Sequence, residues 1–277
     1  MITVPHDGAL LVIRQTDHGD QTGLFASAWG NEDVEAVRDH KHSIELAATH
    51  HDDGWAVWER RPTIDPNHGR PVQFLELSPH EHIPLYRAGI ERAVQHDLRT
   101  GLLISMHGVG LYNSRYSTFS LIDRTYSPDE QILVDEFLKD MYELQLQLSH
   151  QLTSHPGSAT KNEHGDSHII ENPEVRYEYL LLQVWDRLSL QFGYRLAVDG
   201  EISPLPISKQ EPTKLVCKNN GAFRLKLNPY PFVENNMTFP LEAVRIADRV
   251  YKTPEDFLEE VAGKTPTVLE CHTSRFP

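Results

Sequence analysis

The sequence predicts a mainly α protein of the α+β class, with a helical body over residues 1–200 and a β-rich extension over residues 201–277 packed on it. Two observations support this prediction. Before Gly200, apolar residues recur at helical spacing in long segments, most clearly in "SPDEQILVDEFLKDMYELQLQLSHQL". After it, short apolar runs alternate with turn signals such as Asn-Asn-Gly, a pattern typical of hairpins.

The first 82 residues predict a strand, two helical stretches and a loop. The short apolar run "ALLVIR", residues 9–14, predicts a strand, which is a candidate member of the C-terminal sheet. Helical spacing follows over residues 17–29 and ends at Gly30, and a second helical stretch covers residues 31–53. Residues 61–82 carry four prolines and no sustained period, so they predict a loop.

The remaining helical body predicts four more helices. The first two are "PLYRAGIERAVQHD" and "TGLLISMHGVGLY". The third begins at Ser127, placed to cap it, with Pro128 in its first turn. The fourth, "EVRYEYLLLQVWDRLSLQFG", is apolar on all sides and therefore predicts a buried helix. Beyond Gly200, "KLVCKNNGAFRLKLNPYPF" predicts a hairpin, "LEAVRIADRVY" and "TVLECHT" predict strands, and "TPEDFLEEVA" predicts a short helix.

The charge balance restricts the classes of partner. The chain has 277 residues and a formal net charge of −14. Sequence-independent binding to DNA or RNA needs a basic face, and anionic membrane surfaces attract basic segments. We therefore expect neither nucleic acid nor a membrane as partner. The acidic surface suits a small-molecule substrate better than a polymer.

The sequence predicts a cytoplasmic protein. The N-terminal apolar run "ALLVI" is too short for a signal peptide, and no segment approaches the roughly 20 apolar residues that span a bilayer. Cys217 and Cys271 are too few for a disulfide scaffold, which favours a reducing compartment.

Ionisable residues interrupt two apolar helical segments. "LAATHHDDGW", residues 46–55, ends with His51 and Asp52 among its polar residues, and Asp186 lies within the buried-looking "LLLQVWDRLSL". A carboxylate in apolar surroundings takes its neutral form unless a cation or hydrogen-bond donors keep it ionised. His18, in the first turn of the first helix, adds a second imidazole. These residue types suggest a metal site.

The order of these residues resembles that of the HD superfamily of metal-dependent phosphohydrolases. The resemblance implies an HD-like helical domain in which His18, His51, Asp52 and Asp186 hold one divalent metal. A wider set of motifs resembles an uncharacterised bacterial family (DUF3891-like) and covers nearly the whole chain. Those motifs are "QTDHGDQTG", "HHDDGW", "GRPVQF", "SMHGVGLY", "WDRLSL" and "NPYPF". That family brings no established activity with it.

The predicted function is metal-dependent hydrolysis of a small, anionic, phosphorylated metabolite or nucleotide. Two imidazoles and two carboxylates favour Mn, Fe, Ni, Co or Zn over calcium. Such a metal lowers the pKa of a bound water and orients it for attack on phosphorus. Asp53, beside the doublet, is a candidate base for that water or a support for a ligand histidine.

Other interpretations of the candidate ligands remain open. The four residues have capping and hydrogen-bonding as an alternative role, and His50 is the competing start of the doublet. His107, in "LLISMHGVGLY", is a candidate for phosphate contact, acid catalysis or a second metal, or is a hydrogen-bonded core histidine. His80 and His82, in "SPHEHIP", are expected in a solvated loop. "NEHGDSH", residues 162–168, is also expected to be a solvated loop.

Two further residues are candidates for binding substrate. Arg70, in "HGRPVQF", suits a phosphate because a guanidinium binds such a group through two parallel hydrogen bonds; a surface salt bridge is the alternative. Tyr112 is expected to line the pocket, or else to pack against neighbouring side chains.

Two rival functions follow from the same residues. An HD-type di-iron oxygenase requires extra histidine and aspartate ligands between the doublet and the last Asp, and His107 is the one strong helical candidate. A non-enzymatic ligand-binding or interaction protein would hold a structural metal with no open coordination position.

Overall fold

The predicted mainly α, HD-like fold is wrong. A computed structural model describes residues 1–113, 125–154, 172–208 and 212–276. The protein is 47% helical and 23% strand, and a large curled sheet of seven strands forms a half-barrel. The sequence prediction placed the sheet in a C-terminal extension, with residues 9–14 as a candidate additional strand, whereas both β1 and β2 belong to the sheet and the sheet supports the helices.

The helices are α1 (Gln15–Ser27), α2 (Lys41–His50), α3 (Trp55–Glu59), α4 (Pro79–His96), α5 (Leu98–Gly110), α6 (Pro128–Ser154), α7 (Pro173–Gly193) and α8 (Pro254–Ala262). The strands are β1 (Ile2–His6), β2 (Ala9–Ile13), β3 (Ile64–Asp65), β4 (Arg70–Pro71), β5 (Gly200–Pro206), β6 (Pro212–Asn219), β7 (Arg224–Asn228), β8 (Asn236–Ala247) and β9 (Thr267–Arg275). No helix among the described residues combines the length and apolar character needed to cross a membrane.

The large sheet has the strand order β1-β2-β8-β9-β7-β6-β5. Its neighbouring strands are antiparallel except β7 and β9, which are parallel. The pairing of Leu10 with Ile246 connects the N-terminal strands to the strands that follow α7. The segment from residue 201 onward therefore shares its sheet with the first residues of the chain.

Helices α1 and α7 pack between the sheet and the outer helices. Aromatic rings connect α1 to the sheet: the Phe25 centroid lies 4.6 Å from that of Phe239, which lies 4.8 Å from that of Phe232. Burying a side chain of this size contributes about 1.5–3 kcal/mol. On the other side, α2 contacts α1, and α5 contacts α7. Polar side chains that α1 and α7 direct towards those helices are consequently buried.

Two glycines let α1 approach the end of α2 closely. A Cβ at Gly19 would lie 2.4 Å from the Thr49 carbonyl oxygen, and one at Gly23 would lie 2.1 Å from the Thr49 hydroxyl oxygen. Such distances are far inside van der Waals contact, so only a residue without a side chain fits at these positions. The contact brings His18 of α1 beside His51, the residue that follows α2.

Candidate metal centre

The structure brings together all four residues predicted as metal ligands. His18 lies on α1, His51 and Asp52 follow α2, and Asp186 lies near the middle of α7. All four side chains are buried. Side-chain caps fix where α5 and α7 begin: Asp97 accepts from the Thr100 backbone N–H, and Asn172 accepts from those of the two residues after Pro173.

The donor atoms form two overlapping groups that share His51. One group is His18, His51 and Asp186, the other is His51, Asp52 and His107, and within each the donor atoms lie within 4.8 Å of one another. Nε2 of His18 lies 2.8 Å from Oδ1 of Asp186, and Nε2 of His51 lies 3.8 Å from that oxygen and 3.5 Å from Oδ2 of Asp52. Around a metal with bonds of about 2.1 Å, adjacent donors lie about 3 Å apart and opposite donors about 4.2 Å apart. The separations within the first group therefore fit a single divalent cation, with Asp52 beside it.

The hydrogen bonds of His51 define its tautomer. Nδ1 of His51 donates to the Ala48 carbonyl oxygen at 2.8 Å. Its Nε2 is buried and has no hydrogen-bond partner among the described residues. Because Nδ1 carries the proton of the neutral ring, Nε2 presents a lone pair beside two carboxylates. That arrangement is unfavourable without a cation and is the usual one for a ligating histidine.

A chain of hydrogen bonds shows that Nδ1 of His18 also carries the proton of the neutral ring. The Ser189 hydroxyl donates to Oε1 of Gln21 at 2.8 Å, so it accepts from Nδ1 of His18 at 2.7 Å. In the neutral ring Nε2 then has no proton to share with Asp186, although the two atoms lie at hydrogen-bond distance. Either an additional proton or a metal ion has to occupy this contact.

The carboxylate of Asp52 is oriented by neutral groups. Nε2 of Gln15 donates to its Oδ2 at 3.0 Å, and the Tyr86 hydroxyl donates to its Oδ1 at 2.7 Å. No lysine or arginine among the described residues forms an ion pair with Asp52, and its close cationic partner is His51. A buried carboxylate with this environment favours the binding of a positive ion.

The cluster shifts the pKa values of its members in opposite directions. Burial alone would raise the pKa of Asp186, but the His18 hydrogen bond and the neighbouring imidazole charges hold it well below its usual range. Burial opposes charge on His51, yet the carboxylates of Asp52 and Asp186 raise its pKa. Burial, together with the charge of His51, lowers the pKa of His107 to about 4.

A cavity of about 40 Å³ adjoins the donors. Its polar lining consists of Gln15, His18, Asp52, His82, Tyr86, His107 and Asp186. Its apolar lining consists of Trp55, Phe74, Leu75, Leu111 and Leu190. One water needs roughly 10–15 Å³ of such volume, so the cavity holds about three water-sized groups. An ion with one or two water molecules fits.

Two more histidines line the cavity. His107 is buried on α5, with Nδ1 4.0 Å from Oδ2 of Asp186, and its ring centroid is 5.0 Å from that of His51. A donor atom of His107 also lies within 4.8 Å of donor atoms of His51 and Asp52. His82 is buried on α4, and its Nδ1 lies 2.6 Å from the Tyr112 hydroxyl.

The expectation that His82 lies in a solvated loop is wrong. Helix α4 begins at Pro79, a favoured residue type for a first helical position, so the predicted loop extended too far. The spacing of His82 and Tyr86, four residues apart, was the available signal, because it places both on one helical face. His80, on another face, is exposed and pairs with Asp129 at 3.1 Å.

Other predicted residues lie outside the cavity. Asp53 does not line it; its Oδ2 lies 3.0 Å from Nδ1 of His50, and both side chains are partly exposed. Its position therefore does not suit a base acting on a water in the cavity. Arg70 lies on β4 and pairs with Asp248. Tyr112 reaches the cavity only through its contact with His82. Residues 162–168 lie outside the described residues.

The fold and this centre define an α+β protein with a buried histidine–aspartate cluster. Residues 1–248 match the family described as "Protein of unknown function (DUF3891)", and the chain belongs to that family. This confirms the wider resemblance that the sequence motifs indicated. No curated protein and no solved structure matches the chain. The comparisons thus give no support for a relationship to the HD superfamily.

Proposed function

We propose that the protein is a metal-dependent hydrolase whose substrate is a small phosphorylated metabolite or nucleotide. The proposal rests on one observation: Nε2 of His51 is buried, has no hydrogen-bond partner in the described part of the chain, and lies beside the carboxylates of Asp52 and Asp186. A metal bound by His18, His51, Asp52 and Asp186 would supply an activated water and a positive charge for the reacting group.

The residues behind the donors orient them. Ser189 fixes the ring of His18, the Ala48 carbonyl fixes that of His51, and Gln15 and Tyr86 fix both oxygens of Asp52. Such outer hydrogen bonds hold donor atoms in place before a metal arrives, which raises metal affinity.

His107 is suited to accept a hydrogen bond from a water molecule rather than to act as a general acid. With a pKa of about 4 its ring is neutral at pH 7, so Nδ1 or Nε2 has a lone pair available. We therefore assign His107 the role of accepting a hydrogen bond from the attacking water and orienting it, and not the alternative role of general acid; a pKa of about 4 makes it a weak base at pH 7.

The size of the cavity restricts how substrate enters. The cavity of about 40 Å³ holds an ion with one or two water molecules, so a phosphoryl group would have to displace water to reach the metal, while the remainder of the substrate stays outside. Among the described lining residues there is no lysine or arginine, so the metal itself would be the cation that a phosphate oxygen meets. The resemblance to HD phosphohydrolases lies in the order of the predicted ligands and not in the fold. This substrate class is therefore supported by ligand order alone.

Elemental mass spectrometry on the purified, untagged chain tests the proposal. We expect about one transition metal per chain in the wild type, lost in His51→Ala and retained in His50→Ala. His50 is the matched control because it is the adjacent histidine but lies outside the cavity. Phosphorylated metabolites are then screened for release of phosphate. A wild type that binds no Mn, Fe, Co, Ni or Zn, or a His51→Ala variant that keeps the metal, would contradict the proposal.

A two-metal, oxygen-activating enzyme is the second candidate. It is favoured by His82 and His107, which add two imidazoles to the same cavity. In this case we expect about two irons per chain, with one lost in His107→Ala and the other retained. Binding of one metal, unchanged by His107→Ala, would leave the hydrolase as the better candidate.

A further inference from the structure

A groove of about 390 Å³ lies between α2, α4 and the start of α5. Consecutive residues contribute to different sites here: His50 and Asp53 line the groove, while Asp52 between them lines the metal cavity. The groove volume falls in the range of small-molecule sites. Every residue that lines it lies in the described part of the chain.

The groove carries two basic side chains, Arg92 and His96, that form no ion pair with the described residues. Arg92 donates from Nη2 to the Asp53 carbonyl oxygen at 3.0 Å, and it forms no ion pair with any described residue. His96 lies one helical turn further along α4, on the same face as Arg92, and its side chain has no hydrogen bond to the described residues. Both side chains are exposed.

The other residues that line the groove suit a ligand with a charged group at one end and an apolar part at the other. The carboxylate of Asp53, the one acidic group in the lining, is bonded to Nδ1 of His50 at 3.0 Å. Leu46, Gly89 and Ala93 provide an apolar floor. Arg92 and His96 thus place a guanidinium and an imidazole on one helical face of the groove, opposite no acidic group other than Asp53 in its lining.

We propose that this groove binds the phosphate group of a small molecule through Arg92 and His96, with the rest of the ligand over the apolar floor. A guanidinium matches two phosphate oxygens in parallel, and the imidazole of His96 reaches a third. Arg92 also donates to the Asp53 carbonyl oxygen, so a phosphate bound to Arg92 is one side chain away from the turn that carries His51 and Asp52.

Isothermal titration of the full-length chain with inorganic phosphate tests the proposal. We expect one saturable site, with affinity at least about tenfold weaker in Arg92→Gln and in His96→Gln. Arg87→Gln is the matched control, because Arg87 is on the same helix but pairs with Asp140 outside the groove. It should bind phosphate as the wild type does. Acetate, with a single charge, should bind more weakly than phosphate.

The outcomes are distinct from those that test the metal centre. No saturable phosphate binding, equal binding in both groove variants, or acetate binding as tight as that of phosphate would overturn the proposal. Repeating the titration on His51→Ala separates the sites: phosphate bound in the groove is retained there, whereas phosphate bound at a metal is lost. Metal content measured in Arg92→Gln should remain that of the wild type.

Discussion

Helices α5 and α7 bring buried ionisable side chains together at two places, and the two places are built differently. Arg99 and His107 lie eight residues apart on α5, and Glu178 and Asp186 lie eight residues apart on α7. Arg99 meets Glu178, and His107 faces Asp186, so the helices run in the same direction over about two turns.

At the first place, both oxygens of the carboxylate are hydrogen-bonded to the arginine. Arg99 donates from Nε and Nη2 to the two oxygens of Glu178, at 2.8 and 2.7 Å. At the second place the acid Asp186 meets imidazoles, beside a cavity of about 40 Å³. The two kinds of cation explain the difference. An arginine stays protonated and occupies the buried site permanently, whereas histidines can lose their protons and leave room for a metal ion.

Removal of the arginine should have the largest effect. Arg99→Met leaves Glu178 buried without its bidentate partner, so we expect the free energy of unfolding to fall by about 3–5 kcal/mol. Arg87→Met removes an exposed pair with Asp140 and should cost less than about 1 kcal/mol. Urea denaturation of both variants measures the difference. Similar losses would mean that the Arg99 pair is not the structural element we describe.

The acid of the second place, Asp186, should determine whether metal stabilises the protein. Metal present at 100 times its Kd stabilises a protein by about 2.7 kcal/mol, which corresponds to roughly 5–10 °C in Tm. We expect Asp186→Asn to lose that rise and Glu178→Gln to keep it, although Glu178→Gln starts from a lower Tm. Differential scanning fluorimetry with and without Mn²⁺ separates the two. A metal-dependent rise in Asp186→Asn would argue against ligation by that residue.

The outer hydrogen bonds of the metal centre predict a smaller effect. Tyr86→Phe removes the hydroxyl that donates to Oδ1 of Asp52, and we expect metal affinity to fall about 10- to 100-fold. Tyr177→Phe is the control, since its hydroxyl donates to the Glu35 carbonyl at 3.3 Å and not to a ligand. Competition with a chromogenic chelator measures both affinities. Equal affinities would mean that Tyr86 does not help to position Asp52.

The pH dependence should distinguish the metal-bound protein from the metal-free one. The pKa of His51 is raised, and metal requires the neutral ring, so metal affinity should fall about tenfold for each pH unit below that pKa. In the metal-free protein, the contribution of His51 to the free energy of unfolding changes with pH in the opposite direction. The stability that protonated His51 contributes is present at low pH and is lost as pH rises through the folded-state pKa. Chelator competition on the wild type should therefore show one trend from pH 5 to 8, and the difference in urea stability between the metal-free wild type and His51→Ala should show the opposite one, because the comparison cancels the contribution of His107.

The sequence predicted His51, Asp52 and Asp186 as candidate metal ligands because each is polar at or within an apolar segment, where burial of such a group is costly. It added His18 because of its place in the first helix and the order of the four residues. It did not predict His82, because the prolines around it suggested a loop and concealed the first turn of α4. It also placed Asp53 at the cavity on adjacency alone. Beyond the end of α2 the chain turns, and Asp53 faces the groove with His50.

The fold was predicted less well than the site. Ligand order resembles that of helical HD proteins, but such a pattern depends on a few side chains and does not determine what supports them. The half-barrel depends on pairings between residues far apart in the chain, such as that of Leu10 with Ile246. Local periodicity indicates a strand, but it carries no information about which partner the strand will find.

The position of β9 has a consequence for how the chain is synthesised. β9 occupies the middle of the seven-stranded sheet, between β8 and β7, although it is the last strand in the sequence. A nascent chain therefore emerges from the ribosome as two half-sheets without their shared neighbour. Residues 1–248, the part that matches the family model, still lack that strand. We expect the half-barrel to assemble only after residue 275 has left the exit tunnel.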